Sequence, residues 1–183
     1  GKGNAHVNPN RDRGHGRIYR VVWEQAPAAK IKSLAGASVG QLVAAMDSDN
    51  LFWRQTAQRL LVDGGKQTAA ADLKAKIKAG GPGAIQALWS LHGLGSLDKE
   101  THQQALLSKD PALRRNAITA LGNDAAALQL FFDTAVVQDA DLIVRLAAFN
   151  KMVQFEDKKT IELAAKTLIT DPANADDMWL SQS

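Results

Sequence analysis

The sequence predicts an all-α fold, in which an α-solenoid of about four to five helical hairpins follows a short strand and loop segment. Hydrophobic residues make up 45% of the 183 residues but aromatic residues only 5%, a composition that favours close-packed helices over β-sheets. From Ser38 onward, apolar residues recur at helical spacing between short polar breaks. A similar pattern also returns at the start of several helices, as is typical of repeat proteins.

The first 37 residues differ from the rest of the chain. Residues 1–16 have no periodicity and predict a loop, whereas Gly16–Glu24 alternates between two faces and predicts one strand. A linker that contains Pro27 then leads to a helical domain over residues 38–183. Because the chain begins with Gly1 rather than methionine and ends within a pattern at residues 178–183, we expect it to be part of a longer protein.

The helical domain is predicted to contain four hairpins and the opening of a fifth. Ser38 and Gln41 form a capping-box pattern, and Asp110-Pro111 places a cap before proline at the first helical position. The predicted helices are 39–46, 51–62, 68–78, 84–94, 99–107, 112–121, 125–136, 142–153 and 158–169, with a break at residues 171–172 and a restart at Asp176. The side chains predicted to point inward are Leu42, Trp53, Ala57, Leu60, Leu73, Ile77, Leu88, Ala117, Leu121, Leu128, Phe131, Phe132 and Ala148.

A short motif repeats in the second helix of three hairpins. It reads Trp53-Arg54-x-x-Ala57, Leu113-Arg114-x-x-Ala117 and Val144-Arg145-x-x-Ala148. The arginines lie 60 and 31 residues apart, which gives a period of about 30 residues with one register skipped. With the turn aspartate that precedes it, the motif resembles the second helix of HEAT repeats. The resemblance implies armadillo-like hairpins, each of which covers its apolar side by packing on its neighbours.

The chain also resembles part of a family of larger proteins. Asn10–Val21 resembles the closing strand of the β-propeller in large bacterial glucose/sorbosone-dehydrogenase-like proteins, and Asn50–Val62 and Leu88–Gly95 resemble the helical segment after that propeller. This resemblance implies a non-catalytic segment of a quinone-dependent dehydrogenase in the periplasm or cell envelope, often with a cytochrome c domain downstream. The sequence carries neither the propeller's cofactor site nor a Cys-x-x-Cys-His motif, so we expect no catalytic residue and no cofactor here.

Composition excludes several classes of function. The chain has no cysteine, which excludes disulfides, iron–sulfur sites and thiol nucleophiles. Its four histidines include no pair four residues apart, which favours structural or solvated roles over metal binding. No apolar run reaches the roughly 18 residues of a membrane-spanning helix. The net charge of +3 is too small to indicate nucleic-acid binding by itself.

The repeated arginines allow two interpretations. Arg54, Arg114 and Arg145 could bind an anionic partner, or they could form a structural ladder with aspartates in neighbouring turns. Their constant register favours the ladder. The aspartates that precede second helices are interpreted in the same way, as helix caps rather than acid–base groups, and these are Asp47, Asp49, Asp110, Asp139 and Asp141.

The second helices are predicted to line a surface that binds a partner, with Gln55, Arg59 and Arg115 as the candidate contact residues. Further positions predicted to be exposed on these helices are Gln58, Gln86, Ser90, Thr119 and Lys151. The tryptophans Trp53, Trp89 and Trp179 are assigned to the core rather than to ligand stacking.

The sequence therefore predicts a scaffold or protein-interaction module that contacts neighbouring domains of the same parent chain or another protein. The alternative is a nucleic-acid-binding HEAT-like domain, which would need a basic groove with exposed aromatic side chains. Three cations on the second helices, Arg59, Arg115 and Lys151, are few for that role.

Overall fold

The computed structural model describes residues 21–25 and 33–180, and all regular secondary structure in these two ranges is helical. The chain divides into one unit of residues 1–33 and a second of residues 34–183. Residues 16–20 of the predicted strand lie outside the described residues, and Val21–Trp23 form no strand. The all-α class is thus confirmed for the described residues, and the predicted strand is not.

Ten α-helices make up most of the described part of the second unit. In chain order they are α1 (Val39–Ala45), α2 (Leu51–Asp63), α3 (Ala70–Ala79), α4 (Ala84–Gly93), α5 (Lys99–Leu106), α6 (Pro111–Thr119), α7 (Ala125–Asp133), α8 (Leu142–Met152), α9 (Lys158–Thr170) and α10 (Pro172–Ala175). Short 3₁₀ helices occupy Gln67–Ala69, Val136–Gln138 and Val153–Phe155.

Side-chain caps account for most of the helix starts. Ser38 and Gln41 form the predicted capping box at α1. The cap of α2 is Asn50 rather than either of the preceding aspartates, because its side-chain oxygen accepts from the N–H of Phe52. Aspartate caps begin the later helices and stabilise their free N–H groups, and these caps are Asp98, Asp110, Asp124, Asp141, Asp157 and Asp171.

Two helix boundaries differ from the prediction. Helix α7 ends at Asp133 because Ala135 takes a left-handed conformation, with φ of 48°, that starts a 3₁₀ turn. The predicted restart at Asp176 is wrong. Asp171 caps a short helix that begins at Pro172 and ends at Ala175, and no further α-helix follows within the described residues.

The helices pack as two interleaved sets. Within pairs, α1 packs on α2, α3 on α4 and α5 on α6. Between pairs, α2 packs on α4, α4 on α6 and α6 on α8, and likewise α1 packs on α3 and α3 on α5. Helix α9 then packs on α8. The second helices thus form a continuous row, which places their outer faces side by side.

Close packing between the first two hairpins requires a glycine. A Cβ atom at Gly83, just before α4, would lie 2.8 Å from the carbonyl oxygen of Met46 and 2.9 Å from the carboxylate of Asp47. Any larger residue would push the two turns apart.

Most of the side chains predicted to point inward are buried, with a few exceptions. Trp53, Leu60 and Leu128 are half-buried, whereas Phe132 is 38% exposed and Trp179 is 63% exposed. Phe132 follows the buried Phe131 on α7, and adjacent positions on a helix point in different directions. The fully buried members of the prediction are Leu42, Ala57, Leu73, Ile77, Leu88, Ala117, Leu121, Phe131 and Ala148.

Among the described helices, none combines the length and hydropathy that crossing a lipid bilayer requires.

Candidate interaction surface

The turn inside three hairpins has the same hydrogen-bond pattern, which we call the turn motif. A serine or aspartate two positions before the cap accepts from the cap's backbone N–H, and the cap side chain accepts from the second helical residue. The arginine four positions after the cap donates to the carbonyl of that serine or aspartate. The three copies are Ser48, Asn50 and Arg54; Ser108, Asp110 and Arg114; and Asp139, Asp141 and Arg145.

Arg114 also joins its own hairpin to the next. Its Nε and NH2 groups donate to the two carboxylate oxygens of Asp139, each at 2.7 Å, while NH1 donates to the Ser108 carbonyl at 2.8 Å. The Arg114 and Asp139 side chains are 16% and 10% exposed. Such two-point, partly buried pairs are among the stronger polar contacts in proteins.

The same contact sets the charges of both groups. Burial would raise the pKa of Asp139, but hydrogen bonds from Arg114 and from the backbone N–H of Asp141 outweigh it, so the pKa lies below its ordinary value. The hydrogen bond to Asp139 raises the pKa of Arg114 in turn. Both groups are therefore ionised at neutral pH.

Arg145 makes the equivalent connection one hairpin later. Its Nε donates to the Asp139 carbonyl at 2.5 Å, and its NH1 donates to Asp171 Oδ2 at 2.5 Å and to Asn174 Oδ1 at 2.9 Å. Asp139 thus accepts from two arginines, through its carboxylate from Arg114 and through its carbonyl from Arg145.

Arg54 lacks the second connection. Its NH1 donates to the Ser48 carbonyl at 2.8 Å, but among the described residues it has no acidic partner. Its Nε is buried without a hydrogen-bond acceptor. Of the three arginines singled out from the sequence, two connect successive hairpins and the first stays within its own.

Two of the three predicted contact residues lie in one groove. Gln55 and Arg59 line a groove of about 460 Å³ between α2 and α4, together with Trp89 and His92. Arg59 lies 3.6 Å from Asp63 on the same helix, and both side chains are 65% exposed. The positive charge of Arg59 is therefore partly balanced within this α2/α4 groove.

The third contact residue lies in a separate groove. Arg115 lines a groove of about 420 Å³ between α6 and α8, along with Thr119, Ile143 and Asn150. No acidic side chain is among the described residues that line this α6/α8 groove. It therefore offers one exposed cation beside hydroxyl, amide and apolar groups.

Trp89 connects the two grooves. Its Nε1 donates to Asn116 Oδ1 at 2.8 Å, and Asn116 donates through Nδ2 to the Ala112 carbonyl at 2.8 Å. The ring of Trp89 also packs edge to face against that of His92, at 5.4 Å between centroids. The tryptophan is half-buried rather than in the core, and it fixes α4 against α6.

Three positions predicted to be exposed are in fact buried. Ser90 donates to the Gln86 carbonyl at 2.7 Å, and both side chains lie inside the packed row of helices. Lys151 is only 5% exposed, and its Nζ donates to the Leu121 carbonyl and to Asn123 Oδ1 at 2.6 and 2.7 Å. Because burial disfavours the charged form, the pKa of Lys151 is lowered.

The two described histidines lie in different environments. His102 is buried, its Nε2 donates to the Ala117 carbonyl at 2.7 Å, and burial lowers its pKa. His92 is exposed in the α2/α4 groove. Within the described residues no three potential ligands converge, and His6 and His15 lie outside them.

No protein-family model, curated protein or solved structure matches this chain. The resemblance to HEAT repeats and to dehydrogenase-associated segments thus stays a prediction from sequence motifs.

Proposed function

We propose that this chain is a non-catalytic scaffold, a HEAT-like α-solenoid that binds a protein on the side lined by α2, α4, α6 and α8. The partner is either a neighbouring domain of the same parent chain or another protein. The observation that carries the proposal is the pair of grooves between successive second helices, connected through the Trp89–Asn116 hydrogen bond. A row of packed helices with polar grooves is suited to binding a partner, whereas catalysis needs reactive side chains that converge on one point.

The parent protein is proposed from the sequence resemblance alone. In that interpretation the chain connects a quinone-dependent sugar-dehydrogenase propeller to a downstream domain of an envelope protein. The rigidity that such a connection needs is supported by the contacts between hairpins, above all those of Arg114 and Arg145.

Nucleic-acid binding is the weaker alternative because of where the cations lie. Lys151 is buried and donates to carbonyl and amide oxygens, and Arg59 is partly balanced by Asp63. Of the three cations predicted for a phosphate-binding track, Arg59 and Arg115 are exposed. Two exposed cations, one of them beside a carboxylate, supply little of the charge neutralisation on which nucleic-acid affinity depends.

Site-specific photocrosslinking tests the proposal. A photoreactive amino acid is placed at Gln55 or at Thr119 in the intact gene product, expressed in its own cell, and the adducts are identified by mass spectrometry. Glu162, exposed on α9, is the matched control position. We expect peptide adducts at both groove positions, either within the same chain or to one partner, and none at Glu162. Nucleotide adducts, or equal crosslinking at Glu162, would contradict the proposal.

A further inference from the structure

The α6/α8 groove carries positive charge that no acidic side chain of its described lining balances. Helices α6 and α8 contain four arginine and lysine residues and no aspartate or glutamate. Arg114 and Arg145 are paired with aspartates of the turns that follow. Arg115 and Lys151 line the groove, and neither has an ion-pair partner among the described residues. Charges of one sign in a cleft reinforce each other, which favours an acidic ligand.

Of these two cations, Arg115 is the one that can bind a ligand. The Nζ of the buried Lys151 donates to three acceptors, the Leu121 carbonyl, Asn123 Oδ1 and Gln154 Oε1, and these contacts use all the N–H groups of an ammonium. Arg115 is exposed, so the planar edge of its guanidinium can donate two hydrogen bonds to one carboxylate. A phosphate dianion would bring a second charge and a further oxygen, for which the described lining offers no second accessible cation.

The first two turns of α8 give the same groove an apolar part. Ile143 is 55% exposed, and Leu146 and Ala147 are half-buried in the lining three and four positions later. This spacing places the three side chains on one face of α8. Helix α6 supplies Arg115 and Thr119, so a charged part and an apolar part lie within one groove. Its volume of about 420 Å³ accommodates several side chains of a bound segment.

We propose that the partner segment bound in the α6/α8 groove carries an aspartate or glutamate that pairs with Arg115 and an apolar side chain that packs on Ile143. This inference rests on the proposed scaffold function and deepens it, because it names the chemistry of the segment that the groove binds. The partner's carboxylate supplies the negative charge that the lining lacks. The α2/α4 groove needs no such group, since Asp63 already lies beside Arg59.

Charge reversal combined with photocrosslinking from Thr119 tests this inference in the intact gene product, expressed in its own cell. We expect Arg115→Glu to lower the yield of the Thr119 adduct at least about tenfold, because it places two negative charges opposite each other. The matched control is Lys166→Glu, which changes the net charge equally at an exposed position of α9 and should leave the yield unchanged. Thermal melting of both variants checks that the fold is intact.

The crosslinked peptide then directs a second substitution, in which each aspartate or glutamate that it contains is changed in turn to lysine. We expect one of these changes to restore the adduct in the Arg115→Glu chain, because the ion pair forms again with its signs exchanged. An unchanged yield in Arg115→Glu, failure of every exchange to restore the adduct, or adducts to nucleotides would overturn the inference.

Crosslinking from Gln55 separates this inference from the scaffold proposal. Gln55 lies in the α2/α4 groove, away from Arg115. Protein adducts at Gln55 with none at Thr119 would overturn the assignment of an acidic segment to the α6/α8 groove and leave the scaffold in place. Absence of adducts at both positions would overturn the scaffold proposal as well.

Discussion

Arg114 and Asp139 lie 25 residues apart in the sequence and form a two-point hydrogen bond, at 2.7 Å for both N···O pairs, across adjacent hairpins. Because Asp139 also caps the N–H of Asp141 and accepts from Arg145 through its carbonyl, three turn contacts converge on one residue.

We expect Arg114→Ala to destabilise the fold by about 1–3 kcal/mol, because it leaves the partly buried Asp139 carboxylate without its charged partner. The measurement is the free energy of unfolding by urea at neutral pH. The control is Arg115→Ala, an exposed neighbour on the same helix, which should stay within about 0.5 kcal/mol of the wild type. Equal effects of the two substitutions would show that the Arg114 contact contributes nothing specific.

The lowered pKa of Asp139 predicts a pH dependence of stability. The unfolded chain binds this proton at the ordinary pKa of about 3.9, whereas the folded chain binds it at lower pH. The contribution of Asp139 is thus fully present above that value and is lost as pH falls through the lowered folded pKa.

Asp139→Asn should remove this part of the pH dependence. Unfolding free energies measured from neutral pH down to acid should converge for wild type and variant as pH falls below about 4. A constant difference between the two proteins across the whole range would contradict the assigned pKa direction.

Gly83→Ala should destabilise the contact between the first two hairpins, by about 1–3 kcal/mol if the turns must move apart. A Cβ there would lie 2.8 Å from the Met46 carbonyl oxygen. Gly40→Ala is the matched control, because Gly40 lies within α1 and a Cβ there would meet nothing within 4 Å. We expect the control variant to be more stable than the wild type by up to about 1 kcal/mol, because alanine has a better helix propensity than glycine. The measurement is thermal melting of both variants.

The scaffold proposal predicts that the purified chain neither oxidises sugars nor retains DNA. The first assay measures dye-linked sugar oxidation with pyrroloquinoline quinone and calcium supplied, and the second measures retention on immobilised duplex DNA at low salt. Turnover would contradict the non-catalytic assignment. Tight, salt-sensitive retention would favour the nucleic-acid alternative.

Helical periodicity and caps were enough to predict most of this fold. The Ser38–Gln41 box and the Asp110-Pro111 start appear in the structure as predicted, because caps act within four residues along the chain. The end of α7 was missed because a left-handed conformation at Ala135 leaves no signature in the sequence. The start of α10 was interpreted as a break, although Asp171-Pro172 is the same cap-and-proline pair as Asp110-Pro111.

Side-chain burial was harder to predict than helix position. Lys151 has the sequence context of a surface lysine. In the structure it is buried, and its Nζ donates to the carbonyl of Leu121, 30 residues earlier. Only tertiary packing brings these groups together. The first residue of the turn motif was also missed, although a serine or aspartate six positions before each arginine is visible in the sequence.

The turn motif has an evolutionary consequence. Arg114 and Arg145 each contact their own turn and the turn that follows. The connection therefore needs only an arginine in one hairpin and an acid in the turn of the hairpin after it. Excising residues 115–145 would join Arg114 to Leu146-Ala147-Ala148 and restore the Arg-x-x-Ala spacing. Arg114 would then stand 26 positions before Asp171, the spacing that Arg145 has now. Chains of this design can thus lose or duplicate one repeat of 31 residues and still meet a matching acid in the next turn.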